Sequence, residues 1–206
     1  MNLRPYILAA ATVLVPAALT GCPAGDEMTT AEAGQALEET GMEAQASAAV
    51  NNTIEISTNF TIGQAVQKAA EELKAFVETQ LPCADVTLVD HTLTVEYGVN
   101  PGNCTYKGQT YTGTHTITVS KDGEGEVVVE HTWEKLQNQR VSVSGSATVT
   151  WNLKDPSRHV VHDLTWTRLS DGRTGEGSGD TVQKPLADGL KEGISVDGDR
   201  QWKGEK

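Results

Sequence analysis

The chain has 206 residues, with 16 Lys plus Arg against 28 Asp plus Glu and a formal charge of −12. That balance sets nucleic acid and anionic lipid headgroups aside as partners, because both are recognised through basic patches. Aromatic residues make up 5% of the chain, so a core has to rest on Val, Leu, Ile and a few Trp.

Residues 1–21 read as a secretory signal peptide. Arg4 supplies a short positive region, and Tyr6 to Leu19 is an apolar run too short and wrongly flanked for a permanent spanning helix. The run ends in Leu19-Thr20-Gly21-Cys22, which resembles the lipobox of bacterial lipoproteins. The resemblance implies diacylglycerol on the Cys22 thiol, cleavage before Cys22 and acylation of the new amino terminus. Several acyl chains anchor stably where one is marginal. The competing reading is an ordinary signal peptide cleaved nearby, with Cys22 incidental. Pro23 stands where some enteric bacteria use Asp to retain lipoproteins in the inner membrane. The same resemblance therefore favours the outer membrane over the inner, whereas a Gram-positive source would place the anchor on the cytoplasmic membrane.

Residues 22–50 follow as the acylated Cys and an acidic tether. The stretch carries six carboxylates, no Lys or Arg, and mostly Ala, Gly, Thr and Gln. So little apolar bulk predicts a flexible segment, with room for a transient helix around Glu38.

Residues 51–206 suit a single α+β domain. It opens with the one strong helical pattern, "TIGQAVQKAAEELKAFVETQLP". Thr61 and Gln64 match a capping box. Ile62, Ala65, Val66, Ala69, Leu73, Phe76 and Val77 form one apolar stripe, and Pro82 stops the helix. Strands follow. "VTLVDHTLTVEYG" predicts a hairpin turning at Asp90-His91. "TYTGTHTITVS" and "RVSVSGSATVTWNL" alternate strictly, with Tyr111, His115, Ile117 and Val119, then Val141, Val143, Ala147, Val149 and Trp151, on one face. "VVVEHTW" and "HVVHDLTWTRL" are further strands, separated by turn segments.

Trp133 to Arg140, "WEKLQNQR", is echoed 33 residues later by "WTRLSDGR", and Gly113, Gly145 and Gly177 recur at intervals of 32. One period holds two strands, so the repeat predicts copied hairpins and the three Gly a line of curvature. The expected fold is thus one amphipathic helix packed on a curved, open-barrel-like antiparallel meander.

Cys22 is assigned to the anchor, leaving Cys83 and Cys104 as a pair with one possible connectivity, a disulfide in an oxidising compartment. The alternative, free thiols in redox or metal work, lacks a C-x-x-C. Five His raise the question of a metal. His159 and His162 point to opposite faces of a strand; His131 and His162 are expected half-buried beside Trp rings; His91 in a turn and His115 in a strand are expected without partners. "DGEGE" reads as a hairpin turn rather than a calcium loop. No nucleophile elbow or phosphate loop is present, so no catalytic, cofactor or metal residue is assigned. The Ser/Thr face suits a solvated sheet, with ordered-water or glycan binding as the sharper reading.

Cys83 to Thr87, "LTVEYG" at 93–98, Asn103-Cys104 and "KGQTYTGTHTITV" at 107–119 resemble a stretch of uncharacterised Gram-negative envelope lipoproteins. In architecture alone, a helix on a curved sheet is similar to the open barrel of the lipoprotein carriers LolA and LolB. The expected function is a membrane-anchored, non-enzymatic structural or binding module of unknown ligand. A lipid or lipoprotein carrier is the alternative, and an envelope hydrolase ranks third.

Overall fold

The computed structural model describes residues 29–58, 65–152 and 154–204; Cys22 and the proposed cap residues Thr61 and Gln64 lie outside them. The elements run α1 (Thr30–Ile56), α2 (Val66–Gln80), β1 (Asp85–Val89), β2 (Thr92–Tyr97), β3 (Thr105–Tyr106), β4 (Gln109–Thr110), β5 (Thr112–Lys121), β6 (Val127–Gln137), β7 (Val141–Asn152), β8 (Ser157–Arg168), β9 (Thr174–Leu186) and β10 (Gly189–Gly204). Eight strands form one antiparallel sheet in the order β1-β2-β5-β6-β7-β8-β9-β10, which is not closed on itself. Each strand pairs with the next by a hairpin. The exception is the excursion from β2 to β5, which carries the small β3–β4 ribbon.

The alternation sets the faces. Leu93 and Val95 of β2, Ile117 and Val119 of β5, Val129 of β6, Val143 and Val149 of β7 and Leu164 of β8 are all buried on one inner face. The β1–β2 hairpin turns at Asp90-His91 as expected, with Asp90 in the left-handed region at φ 52°. The "DGEGE" segment is a turn in which Asp122 Oδ1 accepts from the Glu124 and Glu126 N–H groups, both at 2.9 Å.

α2 lies on β1, β2 and β5 and buries Ala69, Ala70, Leu73 and Val77. Leu73 and Val77 at this depth each contribute roughly 1.5–3 kcal/mol of transfer free energy. Its N-cap is Ala65, which makes no side-chain cap, and it ends one residue before Leu81-Pro82.

A second helix corrects the expectation of a flexible tether and of a single helix. α1 occupies most of the acidic stretch and packs on β7 and β8. Its N-terminus carries a capping box, Glu32 N–H donating to Thr29 Oγ1 and Thr29 N–H to Glu32 Oε2. Glu39, Met42, Ala46, Ala49, Val50 and Thr53 recur every three or four residues and are buried. Small side chains let the backbone sit close to the sheet. Both polar members find partners there, Thr53 in Trp133 Nε1 at 3.0 Å and Glu39 Oε1 in the Arg173 guanidinium, while Glu39 Oε2 is buried without one.

The repeat is also redistributed. At Gly113 and Gly145, in the left-handed half of φ space at +99° and +141°, an added Cβ would strike a carbonyl oxygen of the neighbouring strand, that of Lys135 or Asp163. Gly198 has the equivalent clash with Asp180. Gly177 does not; its missing side chain makes room for the Glu43 carboxylate of α1. The third Gly of the series therefore serves helix docking rather than the strand-to-strand crowding of the first two.

Cys83 and Cys104 are bonded, with Cα atoms 5.3 Å apart, and tie the β2–β5 excursion to the end of α2. Their closed loop corresponds to about 3 kcal/mol of stability on the loop-entropy account. Converting both to Ser is expected to lower the urea midpoint accordingly. An unchanged midpoint would mean that the excursion is held by its other contacts.

Candidate binding pocket

The inner face carries two polar features that do not belong to an ordinary core. The first lies under the C-terminal turn of α1. His115 and His131 are 0% and 1% exposed. They stack on Trp133 with ring centroids 5.1 and 5.5 Å away. His115 Nε2 is 3.0 Å from His131 Nδ1, His115 Nδ1 is 3.3 Å from Tyr97 Oη, and Ser57 Oγ is 3.4 Å from His131 Nδ1. Ser57 Oγ already donates to the Ile54 carbonyl, so it accepts from His131. Protonation at Nδ1 of both rings then serves every contact and leaves His131 Nε2 a lone pair without a partner. Burial, and then the neighbouring His131, holds His115 well below the usual histidine range; burial alone brings His131 to about 3. This corrects two expectations: His115 has partners on both nitrogens, and His131 is fully buried. His162 sits over Gly179, and His159 on the outer face bonds Asp180 Oδ1 at 2.6 Å.

The second feature is a pocket of about 740 Å³ at the end of the sheet beyond the helices. Strand register builds it: Trp151 of β7, Arg158 of β8, Gln183 of β9 and Val196 of β10 stand in one row on the inner face. In an adjacent row Val149 and Val160 are 0% and 5% exposed. Val196 and the neighbouring Ile194 are 51% and 47% exposed, beyond the cover of α1 and α2. Pro156, Pro185 and Ile194 complete the apolar walls, and Glu55 stands on the rim.

Within the pocket the donors outnumber the acceptors. The Arg158 guanidinium lies 5.5 Å from the Trp151 ring centroid, a cation–π contact, and its Nε donates to Gln183 Oε1 at 2.7 Å. Among the described residues no carboxylate lies within 4 Å of it. Burial pulls its pKa down, with Glu55 acting in the other direction. The Trp151 Nε1–H is buried with no acceptor. The Glu55 carboxylate is already bridged by Lys107 Nζ at 2.6 and 2.5 Å, and Lys184 is paired with Asp155. An arginine at the inward parity of β8, two residues before Val160, is the one sign of this site that the sequence carries. The lining offers apolar surface and unpaired donors, not a nucleophile beside a base.

No family model, curated protein or solved structure matches this chain.

Proposed function

We propose that the protein is a lipid-anchored lipoprotein of the cell envelope whose domain is a non-enzymatic binding module. The lipobox-like Leu19-Thr20-Gly21-Cys22 supports the anchor, and Pro23 the outer membrane. The observation that carries the binding reading is the row Trp151–Arg158–Gln183, where the buried Trp151 N–H lacks an acceptor beside a half-buried guanidinium, in a pocket of ordinary ligand size. On this reading the sheet acts as a curved, open-barrel-like trough. α1 and α2 fill its middle and its end stays open. That open end also favours the second reading, a carrier in the manner of LolA and LolB, over a purely structural role.

Two measurements test these halves separately. Cys22→Ser is expected to abolish acylation and membrane partitioning, and unchanged partitioning would refute the anchor. In the full-length Cys22→Ser chain, 1-decanol is expected to shift the Trp151 indole N–H resonance, assigned through Trp151→Phe. A resonance unmoved by 1-decanol, decanoate and decyl phosphate alike would end the binding reading.

A further inference from the structure

Resting on that pocket reading, we infer that its ligand is a single-chain amphiphile with a carboxylate head, received by Arg158 and Trp151. Three observations converge. The walls formed by the Trp151 ring, Pro156, Pro185 and Ile194 are apolar, so the body of the ligand is hydrocarbon. The open pocket of about 740 Å³ is the size of one drug-like molecule, which suits one chain rather than the two of a membrane phospholipid.

The head follows from the unmet donors. A buried indole N–H without an acceptor costs free energy, and a buried guanidinium without a counter-ion costs more. Trp151 carries the first deficit, and the half-buried Arg158 guanidinium beside it has no carboxylate within 4 Å among the described residues. A carboxylate cancels both, since its two oxygens accept from two donors at once. Gln183 holds the guanidinium through Nε, which leaves the terminal nitrogens to the ligand.

A dianionic phosphate head fits less well. Glu55 stands on the rim with its charge only balanced by Lys107, and the protein as a whole carries −12. One arginine therefore matches one negative charge. A neutral head would leave Arg158 uncompensated.

The test uses the full-length Cys22→Ser chain, with decanoate, 1-decanol and decyl phosphate as probes and the four Trp indole resonances as readout. Decanoate is expected to move the Trp151 resonance, leave those of Trp133 and Trp166 in place, and bind about tenfold or more tighter than 1-decanol. Arg158→Gln should remove that advantage. The selectivity among probes needs no variant, so it stands even if Arg158→Gln does not fold. Equal binding of decanoate and 1-decanol, or tighter binding of decyl phosphate, would overturn the carboxylate head while keeping the pocket. If none of the three moves Trp151, the pocket reading itself fails.

Discussion

Trp133→Ala is expected to destabilise the protein by about 3–5 kcal/mol, the cost of emptying a large aromatic site in a core. The indole is 1% exposed, carries both buried histidines on its face and donates to Thr53 of α1. Removing it therefore opens a cavity, strips the His pair of its stacking partner and leaves the buried Thr53 hydroxyl one partner short. A finer comparison separates these contributions. Trp133→Phe keeps most of the apolar volume and loses the hydrogen bond to Thr53, about 1 kcal/mol. Trp166→Phe instead removes a buried N–H that faces the Glu43 carboxylate outside good hydrogen-bond geometry, and should cost less. Chemical denaturation of the two Phe variants reads the difference. Equal losses would mean that the Trp133–Thr53 bond does not help to seat α1.

Acidification should weaken the fold through the same cluster. His115 and His131 are held neutral by burial, while in the unfolded chain both take up a proton near pH 6.5. Their folded pKa values are depressed, so below about pH 6.5 the unfolded state binds more protons and stability falls as pH falls. The window runs from about 6.5 down to about 3, where His131 titrates in the fold. Each histidine contributes a slope of about 1.4 kcal/mol per pH unit inside it. Denaturation midpoints measured across this range should drop steadily, and His131→Gln should flatten the dependence by roughly one proton's share. A wild-type midpoint independent of pH would show that the pair is not held neutral by the fold. Tyr97, whose phenol is pushed up by burial and then by Tyr111, stays uncharged throughout and takes no part.

Strand parity was readable because a two-residue period needs only local contrast. The Thr and Ser positions of β5 and β7 place Tyr111, His115, Ile117, Val143 and Val149 inward without knowledge of what covers them. α2 was readable for the same reason, since Leu73, Phe76 and Val77 stand out against Lys and Glu. α1 was not. Its inner stripe runs through Glu39, Met42, Ala46 and Ala49 before Val50, Ile54 and Ile56 enter at its end, and its acidic composition resembles a solvated linker. The one local signal was Thr29-Thr30-Ala31-Glu32, a capping box that sits before no apolar run.

The repeated Trp-x-x-Leu segments show where local reading stops. Their copying announces hairpins, and the hairpins exist. That Trp133 and Trp166 are the seats for α1, one meeting Thr53 and the other lying beside Glu43, depends on helix residues 80 or more positions away in the chain. The pocket depends on register in the same way.

By itself the sequence determined the Cys83–Cys104 pairing, the hairpin order and which side chains of β5 and β7 face inward, because these follow from neighbours in the chain. Only the tertiary structure decided that α1 folds against β7 and β8, that His115 and His131 meet across two strands, and that Arg158 lies over Trp151 with unpaired donors. Each of these requires groups distant in sequence to arrive within a few ångströms, and the energy that holds them there comes from burial, which no local pattern encodes.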